Sequence, residues 1–340
     1  MLSESSGDSK LNIERSPRFL IENVKKKFSK YIPKPLRIAL EFPLKFNTYL
    51  MEYKWMKRKQ LGSSFYQHKQ EHEKIFKILL CGSYTIPNFG DRLGFFVVMN
   101  ILSRLADEME FFIEVDHDHI ETLYRDPRKY DLLIVGNGNS IFPPNFLNIS
   151  LLNYIRRAER SVGIFGLQYY SNYSSENYST LSSIIEKLDF VFMRYKRELN
   201  IVKKLSNKKE VYHSGDLLTN LFPFTKWKIN KTKYIMAREP FRIHAIDFYI
   251  REIQLYRNVY SERVHPLLCA LCSAEKVAYR EQYEFLNSES GKFKAMLFDI
   301  FGKEFQQKKF FKVDREKVWN YKRYVQKSIN RIVEKLSELL

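Results

Sequence analysis

The chain has 340 residues, 44% hydrophobic and 28% charged. That composition excludes extended disorder beyond the polar start MLSESSGDSK and is enough for two modest domains or one decorated domain. A net charge of +18 points to an anionic partner, whether nucleic acid, an anionic membrane surface or a phosphorylated or carboxylated substrate.

Residues 1–74 read as a basic helical N-terminal region. Phe19, Ile21, Val24 and Phe28 recur at helical spacing among many lysines, and Pro33, Pro35 and Pro43 divide the region into short helices. Basic amphipathic helices of this kind lie on anionic membrane surfaces; a hairpin packed on the next domain, with its lysines solvated, accounts for them equally well. Residues 75–226 change rhythm. KIFKILLCG, FFIEVD, DLLIVG, SVGIFGLQ, DFVFMR and EVYHSGD read as strands, and RLGFFVVMNILSRLA, LLNYIRRAER, STLSSIIEKL and YKRELNIVKKL read as helices between them. Apolar strands alternating with helices predict a parallel α/β sheet in a first Rossmann-like domain.

The pattern resumes more briefly over 227–312, a smaller second Rossmann-like domain. KYIMA, NVYSER and KVAYRE are its strands, and AIDFYIREIQLYR and VHPLLCALC its helices. From 313 to 340, Val318, Tyr321, Val325, Ile329, Ile332, Leu336 and Leu339 mark one apolar face of a long C-terminal helix. No run of about 18 apolar residues and no basic-then-apolar leader is visible, so a cytoplasmic protein is expected, peripheral to the membrane if the N-terminal helices bind it. The three cysteines, Cys81, Cys269 and Cys272, fit a reducing compartment; the CxxC inside LLCALC reads as packing.

Ligands of parallel sheets bind at the carboxyl ends of the strands. Those ends carry Asn88, Gly90 and Asp91 in NFGD; Gly136, Gly138 and Asn139 in GNGNS; Arg194; Asp216 in SGD; and Arg263 and His265 in SERVH. The two glycine loops would let backbone N–H groups approach an anion at a helix start, but neither has the spacing of a dinucleotide or P-loop fingerprint. If the chain is still extended at 263–265, both side chains face one pocket. Each residue also has a plainer reading. An isolated Arg-x-His is usually a surface pair, Arg194 a solvated strand end, and Asp91 a helix cap. Asp116-His117-Asp118-His119 invites a metal, but neighbours in one loop rarely converge on an ion, and no metal is expected. Tyr169, Tyr170 and Tyr173 suit either a sugar-stacking wall or half-buried packing.

Taken in order, NFGD, the GNG run, GxQ, the strand-end arginine of VFMR, SGD and SxRxH before an apolar helix resemble the polysaccharide pyruvyl transferase family over about 75–300. The resemblance implies two Rossmann-like domains arranged as in GT-B glycosyltransferases. It also implies transfer of pyruvate, as a ketal, from phosphoenolpyruvate to a sugar of a cell-surface polysaccharide or its lipid-linked precursor, with no further cofactor. By similarity Arg263 and His265 match the donor-binding pair, and Arg194 a second arginine facing the donor. The chemistry suits these residue types: guanidinium groups bind a carboxylate and a phosphate bidentately, and a histidine can deliver the proton that the vinyl carbon requires. Asp91 would orient or deprotonate a sugar hydroxyl, and Asp216 would line the cleft. This chain departs from the family in its short second domain and in lacking the usual tyrosine-and-lysine stretch, for which Lys292 or Lys294 would substitute. Three rivals remain: a GT-B-like glycosyltransferase, a non-catalytic scaffold of polysaccharide assembly, and a nucleic-acid binder, which no motif supports.

Overall fold

Six parallel strands form the larger sheet of a computed structural model that describes residues 75–83, 88–120, 123–141, 147–237, 246–285 and 288–340, with backbone alone at 137–141, 283–285 and 288. The sequence expectations for residues 1–74 lie outside the described residues. The chain divides after Gly62, and one compact unit from Ser63 to Leu340 carries everything below.

The strands are β1 (Ile75–Gly82), β2 (Phe112–His119), β3 (Leu132–Ile141), β4 (Ser161–Leu167), β5 (Phe190–Met193) and β6 (Val211–His213), ordered β2-β1-β3-β4-β5-β6. Strand addition reverses direction at β1, which opens the crevice where such sheets bind ligands. Helix α1 (Phe89–Met109) follows β1 and packs on β3 and β2. Helices α2 (Ile149–Arg157), α3 (Ser175–Lys187) and α4 (Lys196–Leu205) share a core with Leu79, Cys81, Leu133 and Val135. Ile78 to Cys81 are fully buried whichever way they point, the expected fate of a strand covered on both faces. Asn148 Oδ1 caps α2 through Leu151 N at 2.9 Å, and Ser174 caps α3.

The second sheet is ordered β12-β9-β8-β7, from β7 (Ile229–Ile235), β8 (Tyr256–Ser261), β9 (Lys276–Tyr279) and β12 (Phe311–Lys312). The first three are parallel, and β12 pairs antiparallel with β9. Helix α5 (Ile246–Gln254) leads into β8 and α6 (Val264–Leu271) leaves it. Sequence periodicity carried α5 through Leu255-Tyr256-Arg257; the helix stops at Gln254, and Tyr256 already pairs with Ile229 in the sheet. Three elements were not anticipated: the hairpin β10 (Tyr283–Phe285) with β11 (Ser288–Glu289), helix α7 (Lys292–Phe301), and β12. The C-terminal helix α8 (Arg315–Leu339) buries Val318, Tyr321, Val325, Ile332 and Leu336 and packs on α1, on α7 and on the 3-10 turn Leu217–Leu221.

Two sequence readings are corrected by backbone. GNGNS is no loop opening a helix: β3 runs through it, with a bulge, to pair Ser140 with Gly166 and Ile141 with Leu167. Gly136 lies at φ +98°, and a Cβ there would meet Ile164 O at 2.6 Å, so this glycine serves close strand packing. Gly138 and Asn139 continue the strand, which leaves all three without the helix-start amides expected of an anion loop. Likewise Asp116-His117-Asp118-His119 is strand, so the two carboxylates leave one face and the two imidazoles the other.

Candidate active site

The carboxyl ends of β1, β5, β6 and β8 deliver the residues singled out in the sequence to one place. Asn88 begins α1, its Oδ1 accepting from Gly90 N at 3.0 Å. Asn88 is therefore the cap, and Asp91 is freed for the first turn, where it is half-buried. Gly90 is pressed against the imidazole of His265: a Cβ on it would stand 1.7 Å from Nδ1. NFGD and SERVH, 175 residues apart in the chain, thus meet in van der Waals contact.

Arg263 and His265 do not share a side of a strand. β8 ends at Ser261, Arg263 is the extended N-cap residue of α6, and His265 lies in its first turn. The turn is pinned by Ser261, whose Oγ accepts from Arg263 N at 3.0 Å and donates to Arg263 O at 2.7 Å. The Arg263 guanidinium donates to Ala237 O at the end of β7. His265 Nε2 stands 3.5 Å from Asp216 Oδ2, with the side chains 13% and 0% exposed.

Asp216 is the most constrained member. Its Oδ1 accepts from Leu218 N at 3.2 Å and its Oδ2 from Tyr195 OH at 3.3 Å. Its own N–H donates to Tyr321 OH on α8 at 2.7 Å. Gly215, at φ +74°, lets the chain pass under that helix, since a Cβ would meet Val325 Cγ2 at 2.8 Å. Burial works to raise the Asp216 pKa; the His265 imidazole, then Arg194 and the Leu218 N–H, outweigh it and hold the carboxyl below the usual range.

Arg194 is buried, not a solvated strand end. Its guanidinium lies 4.8 Å from the Tyr195 ring centroid and flat on Gly166, where a Cβ would meet Nη2 at 2.7 Å. That contact explains the glycine of the GxQ motif. Asp91 stands among these cations. Burial pushes its pKa up to about 7, against the pull of Lys292, Arg194, Arg92 and Arg263 in that order. Lys292 therefore belongs to the cluster. Lys294 does not stand free for such a role, as its Nζ is 2.6 Å from Glu289 Oε2. Four cations thus act on one carboxylate of near-neutral pKa, beside a second carboxylate paired with an imidazole.

Sequence reasoning missed Tyr195, Tyr321 and the buried Glu198. Tyr195 directly follows Arg194 and was legible; Tyr321 reaches Asp216 across 105 residues and had no local signal. Glu198 accepts from Tyr195 N at 3.3 Å, and burial pushes its pKa up to about 8 against Arg194 and the backbone N–H groups of Leu167 and Tyr195.

Other candidates resolve into packing. Tyr169 and Tyr173 are 5% and 8% exposed, and Tyr173 meets Tyr178 at 5.4 Å, so these two are packing, while Tyr170 is half-buried. Cys269 and Cys272 are buried free thiols whose pKa values burial raises. Among the described residues no three His, Cys, Asp or Glu side chains converge as a metal site. Asp116 and Asp118 are held instead by Arg125, at 3.2 and 3.1 Å, and by the hydroxyls of Tyr130 and Tyr154, each at 2.7 Å. Arg125→Ala is expected to cost about 2 kcal/mol in urea unfolding, because Asp118 is buried and loses its counter-charge; an unchanged midpoint would show that the tyrosines suffice.

Among the described residues no helix is long and apolar enough to cross a membrane. No family model matches the sequence, and no curated protein does. Among solved structures, an uncharacterized protein from Klebsiella pneumoniae subsp. pneumoniae NTUH-K2044 is similar over 72% of this chain and 94% of its own, at 16% identity and a TM-score of 0.45. An alpha-glucosyltransferase, solved with UDP-glucose and DNA containing an abasic site, is similar over 78% of this chain and 95% of its own, at 10% identity and a TM-score of 0.32. Likenesses this slight carry no argument about substrate or reaction.

Proposed function

We propose that the protein is a pyruvyl transferase that moves pyruvate from phosphoenolpyruvate to a sugar of a cell-surface polysaccharide or its lipid-linked precursor. One observation carries this reading. Asp91 lies within the fields of Arg194, Arg263 and Lys292, while Gly90 beside it touches His265, so the arginines, the lysine and the imidazole attend one position. On this reading the two sheets are a first Rossmann-like domain and a reduced second one, in the arrangement of GT-B enzymes.

The reaction assigns a task to each group. The guanidinium groups of Arg263 and Arg194, with Lys292, bind the carboxylate and phosphate of the donor. His265, oriented by Asp216, protonates the vinyl methylene to a methyl group, leaving an oxocarbenium-like carbon. One sugar hydroxyl adds to that carbon; a second displaces phosphate and closes the ketal. Two hydroxyl protons are released: one restores His265 and the other leaves with phosphate. Asp91, with its pKa pushed up to about 7, is suited to take the hydroxyl proton and pass it on.

Calorimetric titration of phosphoenolpyruvate tests the donor half. The unaltered protein should bind it. Arg263→Ala should weaken binding at least tenfold, since a bidentate charged contact contributes about 1.5–3 kcal/mol. His265→Gln should bind comparably but lose about 100-fold or more in phosphate release with a saccharide acceptor. No donor binding, together with thermal stabilisation by a nucleoside diphosphate, would move the site to glycosyl transfer.

A further inference from the structure

Parallel strands are ordinarily covered on both faces, and among the described residues helices cover only one face of the second sheet. β7, β8 and β9 succeed one another across it, so two right-handed crossovers in the same sense put α5 and α6 on one face. That face holds the odd-numbered residues: Ile235, Val259, Ser261, Val277 and Tyr279 are each 0% exposed. The even-numbered face is buried at Ala278 and half-buried at Tyr260, and opens toward the β7 edge. Tyr234 is 60% and Met236 47% exposed, and the Tyr260 ring lies beside that of Tyr234 with centroids 5.7 Å apart. Lys276, Arg280 and Lys312 are exposed on the same side; Arg280 also reaches Glu262 Oε1 at 3.4 Å.

We infer that this face is a binding platform for an anionic glycan chain. Tyrosine rings offer flat apolar surfaces with a hydroxyl at the rim, suited to the faces of sugar rings, and the flanking cations suit carboxylate or phosphate substituents. A second copy of the chain is a poor occupant, because each brings a net charge of +18 and sets lysine against lysine. Single-stranded nucleic acid also stacks on such platforms. The position of the strip favours a glycan. Met236 leads into Ala237, whose carbonyl accepts from Arg263, and Glu262 precedes Arg263, so the platform ends at the reacting site. The choice of a glycan rests on the pyruvyl-transfer reading.

Three probes test it by calorimetry on the full chain: an oligoguluronate, which carries a carboxylate on every sugar, a neutral dextran fragment of equal length, and poly(U). The oligoguluronate should bind, at least tenfold more tightly than the dextran. Tyr234→Ala should weaken its binding at least tenfold, and Tyr234→Trp should retain it. Tyr234 is largely exposed, so an unchanged melting temperature is expected for both variants. Oligoguluronate binding that survives Tyr234→Ala, or a Tyr234-dependent preference for poly(U), overturns the inference. Phosphoenolpyruvate titrated separately keeps the two readings apart. Tyr234-dependent glycan binding without donor binding sustains the platform and sinks pyruvyl transfer; donor binding without glycan binding does the reverse.

Discussion

Gly90→Ala is expected, on the pyruvyl-transfer reading, to abolish transfer although it removes no ionisable group of the site. The added methyl would stand 1.7 Å from His265 Nδ1, 2.2 Å from Cε1 and 2.8 Å from Cγ, distances no pair of atoms tolerates. Neither side can yield cheaply. The start of α1 is held by the Asn88 cap, and the ring sits between Gly90 and Asp216. Forced overpacking of this kind costs about 1–3 kcal/mol. On the pyruvyl-transfer reading the larger consequence is functional, since an imidazole displaced by about 1 Å from the carbon it is proposed to protonate loses on the order of 100-fold in rate. A double-mutant cycle isolates the contact. His265→Ala removes the ring that the methyl strikes, so Gly90→Ala made in that background should cost almost nothing in melting temperature. Strict additivity of the two substitutions would mean that Gly90 and His265 do not touch, and the site as described would come apart.

The parallel α/β sheet and its strands were legible because apolar runs such as KILL and VGIF have only one comfortable place, the middle of a covered parallel sheet; the strand order was not. What failed had physical reasons. GNGNS looked like a loop on glycine content, but β4 offers hydrogen-bonding partners to Ser140 and Ile141, and a tertiary ladder overrides local preference. Helix α7 carries Phe293, Met296, Leu297, Ile300 and Phe301 at helical spacing, but the polar stretch before it hid the start, which falls at Gly291 with φ +74°. At the site, residue types were readable and contacts were not. The sequence shows a glycine before Asp91 and another before Leu167; that one admits an imidazole and the other a guanidinium appears only when the chain is folded. The face of the second sheet that opens toward β7 is the same lesson at larger scale. Tyr234 and Tyr260 stand in unremarkable strands, and only the strand order shows that nothing among the described helices covers them.

The pH dependence of stability should carry the signature of Asp91, in a direction opposite to that of an ordinary paired carboxylate. An unfolded aspartate titrates near 3.9, whereas in the folded protein burial pushes Asp91 up to about 7. Between those values the folded state holds a proton on Asp91 that the unfolded state has lost, so the Asp91 contribution falls as pH rises from about 4 to 7 and is level above; Glu198, pushed up to about 8, adds a fall of the same sign that is common to the unaltered protein and an Asp91 variant and cancels in their difference. Asp216 does not confuse the window, since its folded pKa is below the usual range and its contribution is lost only as the solution becomes more acidic than that. Asp91→Asn mimics the protonated carboxyl. Its melting temperature should match that of the unaltered protein near pH 4 and exceed it by several degrees at pH 8; three pKa units set a ceiling on the order of 4 kcal/mol. On the proposed pyruvyl-transfer reading the same group should govern the donor. A bound dianion adds negative charge beside Asp91 and favours its protonated form, so binding of phosphoenolpyruvate should take up a proton and weaken as pH passes 7. In Asp91→Asn both the proton uptake and the pH slope of affinity should vanish, although transfer to a saccharide is lost. A melting-temperature difference that stays constant from pH 4 to 8 would place Asp91 in water rather than among the cations of Lys292, Arg194 and Arg263. The site would then keep its arginines but lose the carboxyl to which the proposal assigns the coupling of anion binding to proton transfer.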